Sequence, residues 1–262
     1  MSVKLVAFDM DGTVLTSDKR LPDGLFDEMR RLRAAGVSCA AATGRFSGTV
    51  GEMFAPVADI MSCVACNGHE IVHDGRVLTR SVFSSETVLA LSGFAEACGG
   101  MVPVFFTSSR GFALASPEAW HPIAASEYGP TDLLDEPDLS EDVIKVSFFK
   151  PQGIEACLGP LEARAAELAQ DVGFVQTSPW TIDCCLDGMN KARGLSILAR
   201  DMGIGMDEVM AIGDHMNDYE MVVEAGCGVA VRNAIDELKA VADRVSPFTN
   251  DEFAVLREMQ AL

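Results

Sequence analysis

Four short polar segments interrupt apolar runs, and each carries residues suited to phosphate or to a hard cation. They are Asp9-Met10-Asp11-Gly12-Thr13, Thr43-Gly44-Arg45, Asn67-Gly68 and Gly213-Asp214-His215-Met216-Asn217-Asp218. A fifth contributor, Lys191, opens a stretch with helical patterning. Asp9 and Asp11 lie two residues apart, and Asp214 is a third carboxylate that folding can bring to them. Carboxylates held that close repel one another unless a dication sits among them. A small all-oxygen ligand set suits magnesium, which keeps waters and binds phosphate oxygens as well. A carboxylate can attack phosphorus to give an aspartyl-phosphate. A second carboxyl can protonate the leaving oxygen and later deprotonate water. The Thr43 hydroxyl and nearby amides can hold phosphate oxygens, and Lys191 supplies a point charge that offsets crowded anions. Gly12 permits a tight turn beside a ligand. Taken singly, each piece has a plainer reading: a solvated turn, a strand-end turn, a surface lysine, a loop aspartate. Their order at successive strand ends is what favours the chemical one.

The elements that must position them read as alternating strand and helix. Residues 3–8, 37–42 and about 60–66 are continuous apolar runs, the pattern of strands buried on both faces of a parallel sheet. Between the first two, Pro22-Asp23 opens a helix with Leu25, Met29 and Leu32 on one face, and Gly36 closes it. Asp74-Gly75 separates two short strands as a hairpin turn. From residue 82 the pattern changes. Residues 86–98 read as a helix, and 102–107 and 111–116 as two strands joined at Ser108-Ser109-Arg110. Residues 117–142 read as a Pro- and Asp-rich loop, 143–150 as a strand, 154–169 as a helix and 174–185 as a strand or strand pair. That pattern predicts an antiparallel sheet with helices on one face. Alternation returns with helix 191–202, strand 209–212, helix 217–224, strand 228–231, helix 234–241, a short strand at Arg244-Val245 and a last helix from 251. The predicted fold is α/β: a doubly wound, Rossmann-like parallel-sheet core, residues 1–81 and 187–262, interrupted by an α+β cap, residues 82–186. In open parallel sheets ligands bind at the carboxyl ends of strands, and there the polar segments fall.

Bulk properties exclude other classes. The chain has 262 residues, 48% hydrophobic and 23% charged, with a net charge of −19. Such a surface repels polyanions, so nucleic acid is not an expected partner. No apolar run approaches the eighteen residues of a bilayer span. The first residues are interrupted too early by Asp9 for a secretion signal, which predicts a cytoplasmic location. Eight cysteines are expected to be reduced, several in apolar runs where a thiol packs as a small hydrophobe. Cys63-x-x-Cys66-x-x-His69-x-x-x-His73 offers four zinc ligand types, but the loop between the pairs is short and the cysteines end a strand-like run. A buried strand is the preferred reading.

These segments resemble the four motifs of the haloacid dehalogenase superfamily: Asp9-Met10-Asp11-Gly12-Thr13 the first, Thr43-Gly44-Arg45 the second, Lys191 the third, and Gly213-Asp214-His215-Met216-Asn217-Asp218 the fourth. The insertion resembles the large cap of Cof-type phosphatases, and the likeness extends to Asn233-Ala234 and Ala242-Asp243. The resemblance implies a magnesium-dependent phosphatase acting on a small phosphorylated metabolite. In it Asp9 is nucleophile and metal ligand. Asp11 is the general acid/base, with its backbone carbonyl on the metal. Asp214 is a further ligand, and Asp218 holds metal-bound water. Thr43, Gly44, Lys191, Asn217 and Asn67 hold the phosphate. Departures from the family pattern are Ala192 after the lysine, His215, and Val231-Arg232-Asn233. A phosphomutase on the same core, or a retired binding protein, are the competing readings. The implied cap role makes Arg110, His121, Tyr128, Lys145, Trp180 and Asp183 candidate leaving-group contacts, with none preferred.

Overall fold

The computed structural model describes residues 2–107 and 110–262; for Glu96, Ala97, Ser126 and Glu127 it describes the backbone only. The chain divides into two compact units, Met1–Thr79 with Met189–Leu262, and Arg80–Gly188. Ahead of the second unit come strands β1 (Leu5–Phe8), β2 (Ser38–Ala42), β3 (Met61–Ala65), β4 (Glu70–His73) and β5 (Arg76–Arg80), with helices α1 (Leu25–Ala34) and α2 (Ser47–Met53). Within it lie β6 (Val102–Phe106), β7 (Gly111–Leu114), β8 (Thr131–Leu134), β9 (Lys145–Phe149), β10 (Val172–Ser178) and β11 (Thr181–Leu186), with α3 (Ser85–Ser92), α4 (Pro122–Tyr128) and α5 (Leu158–Arg164). After it follow β12 (Val209–Gly213), β13 (Cys227–Ala230) and β14 (Arg244–Val245), with α6 (Lys191–Asp201), α7 (Tyr219–Glu224), α8 (Asp236–Val241) and α9 (Ala254–Gln260).

The first unit is built on a sheet of order β14-β13-β12-β1-β2-β3-β4-β5. β14 through β3 run parallel, and β4 is antiparallel to β3. The chain steps from β1 outward through β2 and β3 on one side, and from β12 outward through β13 and β14 on the other. The order therefore reverses between β1 and β12, the switch point where doubly wound sheets open a crevice. β1, β2, β3 and β12 are buried along their whole length, which explains their unbroken apolar runs. α1 buries Leu25, Met29 and Leu32, and Gly36 follows it at φ +85°, where a side chain would be strained. Asp74 (φ 48°) and Gly75 (φ 72°) make the turn between β4 and β5.

The second unit carries a sheet of order β10-β11-β9-β6-β7-β8. Its pairs are antiparallel except β7 with β8. One face, with Phe105, Phe112, Val146, Phe148, Ile182 and Cys184, forms a core with Val88, Leu91 and Leu161 of the helices. Three expectations are corrected here. Residues 117–142 are not a plain loop: they contain α4 and β8. Pro122 is pre-set for a first helical turn, and the His121 Nδ1 accepts the Ile123 amide. Thr131–Leu134 adds to the sheet edge by pairing with Gly111–Leu114, a partnership local patterning does not announce. The sheet is consequently mixed rather than antiparallel. Residues 154–169 break into α5 flanked by short 3-10 turns. Of the turn expected at Ser108-Ser109-Arg110, the two serines lie outside the described residues.

Candidate active site

Each polar segment sits at the carboxyl end of a parallel strand. Asp9 follows β1, Thr43 follows β2, Asn67 lies just beyond β3, and Asp214 follows β12. Lys191 is the first residue of α6. β1 and β12 are neighbours in register, Phe8 opposite Ile212, so Asp9 and Asp214 emerge side by side. Gly12, at φ +79°, lies against the Asp214 carboxylate, where a Cβ would collide with it.

The centre is a buried charge cluster. Lys191 Nζ donates to Asp9 Oδ1 at 2.6 Å and to Asp218 Oδ1 at 2.5 Å. Lys191 and Asp218 have no exposed surface, and Asp9 retains 5%. The other Asp218 oxygen accepts the amides of Asp214 (2.8 Å) and His215 (3.1 Å), so this carboxylate fastens the fourth segment to the lysine. Thr13 Oγ1 donates to Asp214 Oδ1 at 2.7 Å. α6 starts here because the Asn190 side chain accepts the Arg193 amide. Gly68 (φ +98°) and Gly194 then allow the helix start to pack against residues 66–68 and Val64 of β3.

Electrostatics follow from this crowding. Burial, reinforced by Asp218 and Asp214, pushes the Asp9 carboxyl well above its usual range, although Lys191 pulls the other way. Burial and Asp218 raise Asp214 to about 7. Lys191 is the reverse case. Burial disfavours its ammonium, but Asp218 and Asp9 outweigh that and hold it charged. Carboxylates driven toward protonation are short of positive charge. Asp9, Asp214 and Asp218 each offer an oxygen, all within 4.8 Å of one another, an arrangement able to hold a metal ion. Hard anionic oxygens at this spacing fit a hard dication.

Asp11 stands apart from that trio. Its carboxylate is gripped by Arg45, Nε to Oδ2 and Nη2 to Oδ1, both at 2.7 Å, and Lys19 Nζ reaches Oδ1 at 2.6 Å. Burial alone would raise this carboxyl, but the two cations hold it well below the usual carboxylate range. In the sequence Arg45 stands only as part of a motif, and Lys19 carries no signal of its own. Nothing in the local pattern shows that either would turn to Asp11.

The other residues of the predicted site gather around β2 and β3. Thr43 is buried, and its hydroxyl accepts the Arg45 amide at 3.1 Å, which shapes the loop through Gly44. The Asn67 amide donates to the Thr43 carbonyl at 2.9 Å, and Asn217 Nδ2 donates to Asn67 Oδ1 at 3.3 Å. Asn67 takes φ 52°, a left-handed conformation that asparagine tolerates. Thus the second segment, Asn67 and the fourth segment are linked by hydrogen bonds. Asn233 braces the first segment by donating to the Gly12 carbonyl at 2.8 Å, while Arg232 pairs outward with Glu252. Burial drives the Cys63 thiol well above its ordinary value, so it is held as a neutral packing group. No helix among the described residues is long and apolar enough to cross a membrane.

In the second unit the structure sorts the leaving-group candidates. Lys145 and Asp183 are paired at 3.2 Å, and Tyr128 lies beside them through its hydrogen bond to Thr181. The His121 ring lies tilted beside Phe149, with ring centres 6.5 Å apart. Arg110 turns instead to Asp132 and Asp138, and Trp180 sits in the connection between β10 and β11.

Comparison with known proteins agrees with this architecture. The model of the haloacid dehalogenase-like hydrolases matches residues 6–259. Phosphatase YwpJ of Bacillus subtilis is 27% identical, over 99% of this chain and 100% of its own length. The HMP-PP phosphatase of Cronobacter sakazakii is 31% identical, over 90% of this chain and 87% of its own length. A crystal structure from Streptococcus mutans superposes with a TM-score of 0.88 at 23% identity, covering 99% of this chain and 98% of that one, and shares the fold. With aspartates at the ends of adjacent parallel strands, a buried lysine between them and a family match over nearly its whole length, the chain belongs to the haloacid dehalogenase-like hydrolases and is an enzyme of that family.

Proposed function

We propose that the enzyme is a phosphatase that hydrolyses a small phosphate monoester through an aspartyl-phosphate on Asp9, with magnesium as cofactor. The observation that carries this reading is Lys191 bridging Asp9 and Asp218 beside Asp214 at the sheet's switch point. Asp9 and Asp214, with the Asp11 backbone carbonyl, would hold the dication, and Asp218 would hold its water. The dication supplies charge neutralisation for the carboxylates and the phosphoryl group.

The chain's own residues do the rest. An Asp9 oxygen forms a bond to phosphorus as the ester P–O bond breaks, and Asp11 gives the leaving oxygen its proton. Water then attacks the same phosphorus, Asp11 takes its proton, and the Asp9–phosphorus bond breaks. Lys191, Thr43, the Gly44 amide, Asn67 and Asn217 hold the phosphoryl oxygens through both steps. Asp11 is gripped by Arg45 and Lys19 in the resting arrangement, so acid catalysis requires that grip to loosen when substrate enters. The inserted unit would select the leaving group.

The test is phosphate release from a broad panel of phosphorylated metabolites, with magnesium and with chelator. Magnesium-dependent release, abolished by Asp9→Asn, is expected. Full turnover in Asp9→Asn would overturn the nucleophile assignment. An isomerised sugar phosphate without free phosphate would make the enzyme a mutase instead.

A further inference from the structure

Two thiols meet inside the second unit. The 3-10 turn Gly93–Cys98 follows α3 and packs against α5, and Cys157 stands immediately before the first residue of α5. Cys98 packs on the apolar cluster that holds Cys157 together with Phe94, Met101 and Leu161. The two thiols are hydrogen-bonded to each other. Both are free thiols, but they differ in access: Cys157 is 1% exposed, whereas Cys98 is half-buried. A cation completes the group. Lys150, the residue after β9, brings its Nζ to 3.8 Å from Cys157 Sγ and donates to it.

Packing alone asks for neither the second thiol nor the cation. A buried thiol serves as a small hydrophobe, and Cys39 in β2 is that plain case: burial, with Glu28 nearby, pushes its thiol up to about 12. Burial, reinforced by the Cys98 thiol, also pushes Cys157 up, to about 11, but there the Lys150 ammonium pulls the other way. A cation beside sulfur favours the thiolate, and such surroundings mark cysteines that react. Adjacency in sequence does not produce the same thing. Cys184 and Cys185 are neighbours along β11, yet alternation turns them to opposite faces of the strand. Gly99-Gly100 follows Cys98. Such a pair gives the backbone freedom to close a hydrogen-bonded contact to the about 2 Å of a disulfide.

We infer that Cys98 and Cys157 form a redox site, a thiol pair that a peroxide converts to a disulfide and a small thiol converts back. It is independent of the phosphatase reading. Cys98, the accessible member, meets the oxidant first. Its sulfur bonds to one peroxide oxygen as the O–O bond breaks, and the hydroxide released takes the thiol proton to become water. Cys98 is then a sulfenic acid. Cys157 Sγ attacks that sulfur, the S–S bond forms and the S–O bond breaks, and the departing hydroxide takes the Cys157 proton as a second water. Two thiols are oxidised and one peroxide is reduced to two waters. Lys150 holds the negative charge that gathers on Cys157 Sγ as its proton leaves. The bond would tie the turn before β6 to the start of α5, cross-linking the second unit from residue 98 to residue 157. Two molecules of a small thiol restore the pair and leave as their own disulfide.

Peptide mapping of the folded, full-length chain tests this. The protein is treated with stoichiometric hydrogen peroxide, its remaining thiols are alkylated, and the digest is read by mass spectrometry. The expected result is loss of two of the eight thiols and a linked pair of peptides carrying Cys98 and Cys157, lighter by two hydrogens than their sum. Dithiothreitol should restore both thiols. Three results in the unaltered chain would overturn the assignment: both cysteines still reduced, Cys98 carried to the sulfinic or sulfonic acid without a disulfide, or a disulfide joining other cysteines. None of these needs a variant that might fail to fold. Two substitutions then assign the order of events. Cys157→Ser should leave Cys98 as a sulfenic acid that dimedone captures; capture at neither position would overturn Cys98 as the first sulfur. Lys150→Met should raise dimedone capture at Cys98 about tenfold, because the resolving thiolate loses its cation. Unchanged capture would overturn the part given to Lys150.

Discussion

At the scale of single residues, Lys191 decides the character of the site. Without it, Asp9 and Asp218 would be two buried carboxylates with a third close by. Removing one partner of a buried ion pair costs about 3–5 kcal/mol. Lys191→Met is therefore expected to lose stability of that order in urea denaturation, besides losing phosphate release. Asp9→Asn should behave differently. It removes a charge from a crowded cluster, so stability should hold or rise while turnover falls by at least about a thousandfold, as when a reacting group is deleted. Circular dichroism melting and a phosphate assay on the same samples separate these outcomes. Asp9, Lys191 and Asp214 were legible in the sequence because each ends a strand or opens a helix, and strand ends of a parallel sheet converge. The Arg45 and Lys19 grip on Asp11 was not legible. It depends on where two flexible side chains turn, and nothing in spacing encodes that.

At the scale of elements, the site depends on how α6 begins. The Asn190 side chain caps it, and Gly68 lets its start approach residues 66–68. A Cβ at position 68 would run into the Asn190 carbonyl, in a conformation at φ +98° that L residues rarely adopt. Strain of this kind costs about 1–3 kcal/mol. Gly68→Ala is expected to lose that much in chemical denaturation and to raise KM, because Lys191 moves with the helix start. Asn190→Ala should cost about 1 kcal/mol, the usual loss of a helix cap, again read by denaturant melts. The strands buried on both faces and the helix of Leu25, Met29 and Leu32 could be read from periodicity. α4 and β8 could not. Each is short, and β8 exists because Gly111–Leu114 offers it an edge, a partner twenty residues away.

At the scale of the whole molecule, the first unit holds a carboxylate cluster at which protons and a metal ion would compete. The Asp214 carboxyl, raised to about 7, binds its proton more tightly folded than unfolded. Wherever the folded state holds more protons, stability falls as pH rises. In chelator, thermal stability is therefore expected to decline as pH climbs from about 4 toward about 7. A bound dication offsets the crowded charge, and protons leave as it binds. The rise in melting temperature on adding magnesium should grow over the same window; a magnesium increment independent of pH would count against these carboxylates as its ligands. Sequence by itself determined the parallel core, the ends of β1, β2, β3 and β12 as the place of the polar segments, and the interruption of that core by a second unit. It could do so because hydrophobic period and strand-end chemistry are local properties of the chain. Only the tertiary structure decided that Asp218 ties Lys191 to the Asp214 loop, that Asp11 is held by Arg45 and Lys19, and that Lys145 meets Asp183 across two strands. Those contacts join residues far apart in the chain through strand register and side-chain direction, which are settled only when the sheets assemble.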